Sequence, residues 1–406
     1  MERYFQYVWD CLWIPGASFF RKTRRQIVET AAIRWRRWNG LLAAVLSLSA
    51  SSMPGSVTVK TITADDPRIF YSDYVSRDFD TESQRMRFDR LLDVEGKGYR
   101  WDSPASRASI RTNSRSVRGV LFYTNKHISK TARNPVGLYA VDGRRNEHWT
   151  FGTKNHAIER PEERVVVEFP LSADNHFHDY EVIMPYGDSV EFIGFEVEST
   201  ATVESTSVRA AKKRYVAYGD SITHGFTATR VDRSYAFLLA DTQDWQLINM
   251  GFGGRQSQAA DGAVVGSQSA DYITVFIGTN DWQQGRPPGA YQHNLRGMLK
   301  GIREKQPTVP VFLLTPLWVS PNWSPPGAKF LLAEYTQAAR DLVEELIKLG
   351  DSHVHLINGS ELIDHHERYF DRVLVHPNDE GFAQMAGRLS TRISDVLRTN
   401  EICDEK

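Results

Sequence analysis

The sequence predicts an α/β protein in which an all-β region precedes a parallel sheet. Between residues 66 and 205, short β-rich segments alternate with turn signals, which is typical of a β-sandwich or jelly roll. From residue 212 to residue 400, apolar strands, glycine turns and helical segments repeat, which is typical of a parallel sheet covered on both faces. We therefore predict three parts: a leader-like segment at 1–60, a β-sandwich domain at 66–205 and an α/β domain at 212–400.

The composition is that of an ordinary globular protein. The 406 residues are enough for two domains, and 41% are apolar and 24% charged. The formal net charge of −1 provides no overall basic field, and no nucleic-acid-binding motif is present, so we expect no nucleic-acid partner. The two cysteines, Cys11 and Cys403, lie at opposite ends of the chain and predict neither a disulfide framework nor a zinc site.

The N-terminal segment has the order of a signal peptide. A basic stretch (34–40, RWRRWNG) precedes an apolar run (41–50, LLAAVLSLSA) and then small residues (51–56, SSMPGS). The apolar run is too short to cross a bilayer as a helix, so we expect no stable transmembrane span. The basic stretch lies unusually far from residue 1 for a signal peptide. Three interpretations are therefore open: translation starts further downstream, the leader is extended, or residues 1–55 form a short amphipathic anchor. We expect export to the periplasm, the cell surface or the medium.

The first domain is predicted from its short strands. A hairpin is expected in AVDGRRNEHWTF, with its turn at Asp142 and Gly143. The join to the second domain, RAAKKR at 209–214, is short and lacks linker composition, so we expect the two domains to pack together. The candidate strands are ASIRT, VRGVLFYT, VGLYAVDG, RVVVEFPL, YEVIMPYG and SVEFIGFEVES.

The second domain places chemically capable residues directly after its strands. The candidate strands are YVAYG, LINMG, YITVFIG, VPVFLLTP and VHLING, and residues 330–349 have a helical pattern. Ser221 follows the first strand, Gly254 the second and Asn280 the third, while His376 lies near the C-terminus. Ligands of parallel α/β sheets bind outside the carboxyl ends of the strands, so these residues are candidates for one site.

These four residues fit the chemistry of acyl transfer. A serine hydroxyl is a nucleophile when a histidine accepts its proton, and a glycine amide with an asparagine side chain can bind the developing oxyanion. Each residue also has a purely structural interpretation. Ser221 and Asn280 are common helix caps, Gly254 is common in tight turns, and His376 precedes a proline as a surface histidine would. Their order along the chain favours the catalytic interpretation.

The four motifs resemble the four blocks of the SGNH (GDSL-type) hydrolases. The motifs are GDSI, NMGFGG, GTND and HPNDEGF, and the similarity extends over residues 214–398. The resemblance implies a flavodoxin-like three-layer α/β/α fold, with Ser221 as nucleophile and His376 as general base. It further implies an oxyanion hole made by the amides of Ser221 and Gly254 and the side chain of Asn280, and it implies no metal or organic cofactor.

The sequence departs from this family just before the histidine. The family usually has an aspartate three residues upstream, where this chain has Val373. Asp371 is the nearest upstream carboxylate, and an extended RVLV segment would place it on the order of 16 Å from His376. A turn would bring it closer. The imidazole has three candidate orienting groups: Asp371, a more distant carboxylate such as Asp364, and a backbone carbonyl. We favour the carbonyl.

An N-terminal β-sandwich combined with this missing aspartate resembles the family-two carbohydrate esterases. The resemblance implies an esterase that works through an acyl-enzyme and removes acetyl groups from a carbohydrate or another small acyl ester. Two alternatives stay open: an acyltransferase with a sugar acceptor, and a noncatalytic glycan-binding protein, which Val373 keeps possible. Trp282 and Trp318 are expected either to wall the pocket or stack on a sugar, or to be core aromatics.

Overall fold

The computed structural model describes residues 58–91, 102–127, 138–145, 163–186 and 188–404. The predicted leader lies almost entirely outside these residues. Val57–Lys406 form one compact unit. No helix in the described part of the chain combines the length and the apolar composition that crossing a bilayer requires.

The β-rich region consists of two antiparallel sheets that face each other. In the first sheet the order is β3-β4-β11-β6-β9 and β1 also pairs with β11; in the second it is β12-β5-β10-β7-β8 and β2 also pairs with β5. One apolar core contains side chains of both sheets, among them Phe88 and Phe192 from the first and Ile110 and Val182 from the second. The region is therefore a β-sandwich, as predicted. The strands are β1 (Val59–Thr63), β2 (Phe70–Ser72), β3 (Ser76–Asp80), β4 (Arg85–Asp89), β5 (Arg107–Thr112), β6 (Val117–His127), β7 (Leu138–Val141), β8 (Arg144–Arg145), β9 (Glu163–Glu168), β10 (His178–Ile183), β11 (Asp188–Glu198) and β12 (Val203–Glu204).

The predicted hairpin turn is present between β7 and β8. Asp142 has φ 48° and Gly143 has φ 76°, so both central residues lie in the left-handed region. This is the backbone of a type I′ turn, which matches the twist of the two strands and favours the Asp-Gly sequence. The two strands pair antiparallel, with Val141 opposite Arg144.

The C-terminal region is built on a five-stranded parallel sheet in the order β14-β13-β15-β16-β17. Numbered along the chain, this order is 2-1-3-4-5, which is the order of flavodoxin-like folds and confirms the predicted fold class. Successive strands are added on one side of β13 and then on the other, so the switch point lies between β13 and β15, and such folds bind ligands there. The strands are β13 (Arg214–Gly219), β14 (Gln246–Gly251), β15 (Tyr272–Phe276), β16 (Val311–Leu314) and β17 (Val354–Ile357).

Helices cover both faces of this sheet because its strands are apolar on both sides. In β13, Tyr215 belongs to one apolar core and Val216 to the other. Helices α2 and α7 contribute to the first core, while α3, α5 and α6 contribute to the second. The helices are α1 (Ser221–His224), α2 (Tyr235–Thr242), α3 (Asp261–Gly266), α4 (Thr279–Gln283), α5 (Pro288–Lys305), α6 (Leu332–Lys348) and α7 (Asp379–Asp404).

The β-sandwich packs on the α/β region through apolar and polar contacts. Ala105, Ile183 and Tyr186 of the β-rich region belong to the same core cluster as α2 and α7. The Tyr186 hydroxyl donates a hydrogen bond to the carbonyl of Ala228 (2.5 Å). These contacts support the predicted packing of the two regions.

Candidate active site

Ser221 occupies the first position of a single helical turn that follows β13. Asp220 caps this turn, because its Oδ1 accepts a hydrogen bond from the Ile222 amide (3.0 Å), and Gly225 ends it at φ 99°. A Cβ on Gly219 would lie 2.1 Å from the Thr223 hydroxyl and 2.4 Å from the Phe276 carbonyl oxygen. The strand therefore turns into the helix in very little space, and Ser221 lies partly exposed at the strand end.

His376 lies beside Ser221 although 155 positions separate them. The Ser221 Oγ and His376 Nε2 atoms are 2.8 Å apart, so the hydroxyl can donate to Nε2 when Nδ1 carries the imidazole proton. The Phe226 ring contacts the imidazole at a centroid distance of 4.8 Å. The Thr227 hydroxyl donates to the Pro377 carbonyl (2.8 Å), which ties the segment after α1 to the segment that carries His376.

The segment before His376 is a closed turn and not an extended strand. The Asp371 amide donates to the His376 carbonyl (2.7 Å), while Asp371 Oδ1 accepts from the amides of Val375 (3.1 Å) and His376 (3.3 Å). Leu374 has φ 58°, in the left-handed region, which lets the chain reverse. Asp371 Oδ2 consequently lies 3.5 Å from His376 Nδ1, so the segment takes the turn that was the alternative to an extended chain, and the extended-chain distance on the order of 16 Å does not apply.

The other candidates for orienting the imidazole do not reach it. Nδ1 of His376 has no hydrogen-bond partner among the described residues, so the favoured backbone carbonyl is not found there. Asp364 instead pairs with Arg388 and accepts a hydrogen bond from Gln384 (3.3 Å). Of the groups weighed from the sequence, only Asp371 lies within ion-pair distance of Nδ1.

Gly254 and Asn280 lie at the ends of the two strands beside β13. Gly254 has φ 76°, which favours glycine, and it sits exposed in the turn after β14. Asn280 is the second residue of α4, which begins after β15, and the N-cap of that helix is Gly278. Asn280 Nδ2 donates to the Arg255 carbonyl (3.2 Å) and to Asp220 Oδ2 (3.3 Å). The Asn280 amide therefore links the Gly254 turn to the residue before Ser221.

Two buried carboxylates support these loops and were not singled out from the sequence. Burial raises the pKa of Asp220 to about 7, although the Ile222 amide, the charge of His376 and the Asn280 amide favour its ionised form. Burial also raises the pKa of Asp281, which accepts hydrogen bonds from the amide (2.9 Å) and the hydroxyl (2.7 Å) of Ser257. Both residues stand inside the GDSI and GTND motifs, where their position next to the candidate residues Ser221 and Asn280 was a usable signal.

The two tryptophans have structural partners. The indole nitrogen of Trp282 donates to the Phe330 carbonyl (3.1 Å), and its ring packs edge-on against Trp323. Trp318 is half-buried and stacks on His365 at 5.3 Å. In the described part of the chain, no three histidine, cysteine, aspartate or glutamate side chains converge on a point where they could hold a metal ion.

Comparison with known proteins places this site in a family. Residues 217–384, which include all four candidate site residues, match the GDSL-like lipase/acylhydrolase family. No curated protein sequence matches the chain.

Several solved structures share the architecture of both regions. The salicylyl-acyltransferase SsfX3 from a tetracycline biosynthetic pathway is 22% identical, with a TM-score of 0.71 over 82% of this chain and 96% of that one. A putative GDSL-like lipase from Bacteroides ovatus is 18% identical, with a TM-score of 0.65 over 84% and 98%. A family-two carbohydrate esterase from Cellvibrio japonicus is 16% identical, with a TM-score of 0.61 over 84% and 98%.

At these sequence identities the solved structures show the fold alone. The family match indicates in addition that the site is of the lipase/acylhydrolase kind. The parallel sheet has the flavodoxin-like order, and a β-sandwich precedes it. The matched region carries a serine and a histidine in hydrogen-bond contact at the strand ends. Residues 217–384 thus form a domain that matches the GDSL-like lipase/acylhydrolase family, which is an SGNH-type ester hydrolase domain, and a β-rich region precedes it.

Proposed function

We propose that this protein is a serine esterase that hydrolyses carboxylic esters through an acyl-enzyme on Ser221. The observation that carries the proposal is the 2.8 Å contact between Ser221 Oγ and His376 Nε2 at the carboxyl end of β13. A serine hydroxyl hydrogen-bonded to a histidine, with the histidine beside a carboxylate, is the arrangement that activates a nucleophile.

In the first half of the reaction, Ser221 Oγ attacks the ester carbonyl and His376 Nε2 accepts its proton. The alcohol then leaves with a proton from His376, and water attacks the acyl-enzyme in the second half. The amides of Ser221 and Gly254 and the Asn280 side chain are the proposed donors to the oxyanion. The two hydrogen bonds of Asn280 Nδ2 are long, at 3.2 and 3.3 Å, so a substrate oxyanion can displace one of them at little cost.

Asp371 is the proposed orienting group for His376. Its carboxylate lies 3.5 Å from Nδ1, which is within Coulombic contact and slightly beyond hydrogen-bond length. Catalytic hydrogen bonds in unliganded enzymes are often long and shorten when charge develops. The ionised carboxylate therefore stabilises the imidazolium that forms during attack and holds the proton on Nδ1.

The proposed substrates are acetylated carbohydrates or other small acyl esters. Two of the proteins with this fold are a family-two carbohydrate esterase from Cellvibrio japonicus and an acetyl xylan esterase from Butyrivibrio proteoclasticus. Export from the cytoplasm, as the signal-like N-terminal sequence suggests, would bring the enzyme to such polymers.

Acyl transfer to a sugar acceptor is the second candidate. It is favoured by the fold similarity to a salicylyl-acyltransferase, which has the highest TM-score of the three structures compared above. A noncatalytic glycan-binding role rested on the missing aspartate, and the turn that returns Asp371 to His376 weakens that argument. Hydrolysis and transfer share the acyl-enzyme and differ only in the acceptor.

The experiment compares the Ser221→Ala variant with the wild type on p-nitrophenyl acetate and on acetylated saccharides. We expect turnover to fall by at least about a thousandfold, because loss of a catalytic serine is this costly in serine hydrolases. Ser267→Ala is the matched control, since that exposed serine lies at the end of α3, where its hydroxyl bonds only to its neighbours along the chain, the Val264 carbonyl and the Gln268 side chain. Full activity in folded Ser221→Ala protein would refute the assignment. Product analysis with a competing sugar alcohol separates hydrolysis from transfer.

A further inference from the structure

A buried polar cluster joins the β-sandwich to the loops of the active site. Arg90 follows β4, Asp102 precedes β5, and His224 is the last residue of α1. Their exposed fractions are 0%, 1% and 2%, so solvent does not screen the cluster. None of these residues belongs to the four sequence motifs.

The hydrogen bonds of the cluster lead to two active-site loops. Asp102 Oδ2 lies 2.8 Å from His224 Nε2 and 3.0 Å from Arg90 Nη2. Because an ionised carboxylate only accepts hydrogen bonds, His224 Nε2 carries the proton in this contact. The second arm of the Arg90 guanidinium, Nη1, donates to the carbonyl of Gly251 (2.6 Å).

These two attachment points flank the residues that carry the chemistry. His224 lies three residues after Ser221 on the same helical turn, and Gly251 lies three residues before Gly254. A Cβ on Gly251 would lie 2.1 Å from the His224 amide nitrogen, so the two backbones are in direct contact. A displacement of either loop would therefore displace the other.

Aromatic rings close the cluster on two sides. The Tyr186 ring meets the His224 ring edge-on at 5.5 Å, and the Arg90 guanidinium carbon lies 4.9 Å from the centre of the Phe252 ring. A buried charge without its partner is strongly unfavourable, and the planar arginine fork fixes direction as well as distance. The cluster therefore specifies one arrangement of the two loops.

We propose that Arg90, Asp102 and His224 are positioning residues that hold the nucleophile turn and the oxyanion loop in register. This proposal rests on the proposed function of Ser221 and Gly254. It makes the β-sandwich a part of the catalytic apparatus, because two of the three residues belong to it. None of the three touches the reacting atoms.

A second buried ion pair in the same sandwich provides a matched control. Asp73 pairs with Arg107 and with Arg209 Nη2 (3.2 Å), and Arg209 Nη2 also donates to the Trp245 carbonyl (2.9 Å). Trp245 directly precedes β14, whereas Gly251 ends it. The control pair therefore binds the amino end of the strand whose carboxyl end carries the active-site loop.

The experiment compares Asp102→Asn with Asp73→Asn in the full chain. Active sites are first titrated with a fluorophosphonate, and then kcat and KM for p-nitrophenyl acetate and the rate constant of phosphonylation are measured per titrated site. A misplacement of about 1 Å can cost a hundredfold in rate. We expect kcat and the phosphonylation rate of Asp102→Asn to fall about 10- to 100-fold with KM within about threefold. Asp73→Asn should lower Tm comparably while kcat stays within about threefold.

Equal kcat values in the two variants would overturn the positioning role while the proposed function stands. If Asp102→Asn yields no folded protein, Arg90→Lys serves in its place, because lysine keeps the charge but cannot hold both partners with one fork. A wild type that reacts neither with the ester nor with the fluorophosphonate would refute the proposed function itself. A wild type that reacts only with the fluorophosphonate still tests the positioning role through the phosphonylation rate.

Discussion

His376 illustrates how much a single turn decides at the scale of one residue. Val373, where the family usually has its aspartate, is exposed, and its apolar side chain cannot accept a hydrogen bond from the imidazole. Asp371, two positions further upstream, lies 3.5 Å from Nδ1 because Leu374 adopts a left-handed conformation and closes the turn, which is why we propose it for the role of that aspartate. The carboxylate is tied to the turn by two amides, which leaves its Oδ2 free to face Nδ1.

We expect Asp371→Asn to lower kcat by at least about a hundredfold. The neutral amide can no longer stabilise the imidazolium, and the corresponding change in a serine protease costs on the order of ten thousandfold. Because Asp371 Oδ2 lies 3.5 Å from His376 Nδ1, slightly beyond hydrogen-bond length, we expect the loss of kcat to be smaller than ten thousandfold. Kinetics with p-nitrophenyl acetate measures the effect, and Asp364→Asn is the control because its carboxylate pairs with Arg388 instead. If kcat of Asp371→Asn falls only a few fold, a group other than Asp371 orients His376.

Asp220 gives the stability of the protein a pH dependence. Burial raises its pKa from the usual 3.8 to about 7, so the folded state keeps a proton that the unfolded state loses above pH 4. Its contribution to the free energy of unfolding is therefore fully present below pH 4 and declines as the pH rises to 7. Between pH 5 and pH 7 the decline amounts to about 2 kcal/mol.

We expect Asp220→Asn to remove this decline while keeping the helix cap, since the asparagine Oδ1 can still accept from the Ile222 amide. Urea unfolding of both proteins at pH 5 and pH 7 provides the measurement. The wild type should lose about 2 kcal/mol more than the variant over this interval. Parallel pH profiles would show that the buried carboxyl ionises normally.

At the scale of elements, the contact between β14 and α1 is fixed by the absence of a side chain at Gly251. A Cβ there would overlap the backbone of both Thr223 and His224. We expect Gly251→Ala to cost about 1–3 kcal/mol of stability or more, because an overpacked backbone contact cannot relax by a rotamer change. Activity should fall as well, since the substitution pushes the nucleophile turn away from the strand.

Gly387→Ala is the control for this substitution. Gly387 lies exposed within α7, and an added Cβ there would meet no atom within 4 Å. Alanine in an exposed helix interior should stabilise the protein by up to about 1 kcal/mol and leave turnover unchanged. Differential scanning calorimetry of the two variants gives opposite shifts in Tm if this interpretation is correct.

At the scale of the whole molecule, the β-sandwich and the α/β region share hydrophobic cores. Ala105, Ile183 and Tyr186 pack in the core that α2 and α7 cover, and Val75 packs in the core on the other face of the sheet. Arg90 and Arg209 add buried hydrogen bonds to the two ends of β14. Separating the regions would expose apolar surface and leave buried charges without partners.

We therefore expect residues 57–406 to unfold in one cooperative transition. Urea unfolding followed by tryptophan fluorescence, which reports mainly the α/β region, should coincide with unfolding followed by far-ultraviolet circular dichroism. Limited proteolysis should not release two stable fragments. Separate transitions, or a stable fragment that keeps full esterase activity, would show that the regions are independent.

Local patterns in the sequence determined the architecture and named the candidate site residues. Apolar strands that alternate with helices predicted the parallel sheet, and the Asp-Gly turn predicted the β7–β8 hairpin, because both depend on neighbouring residues alone. The order of Ser221, Gly254, Asn280 and His376 predicted a common site, since parallel strands present their carboxyl ends at one edge of a sheet.

Only the tertiary structure decided which groups support those residues. The position of Asp371 depended on a left-handed residue that no pattern in RVLV announces, and a carboxylate can move many ångströms with one such backbone angle. Asp102 meets His224, and Arg90 meets Gly251, over more than a hundred residues of chain, so these contacts depend on how two regions dock. Burial likewise raised the pKa of Asp220, because desolvation belongs to the assembled fold and not to the local sequence.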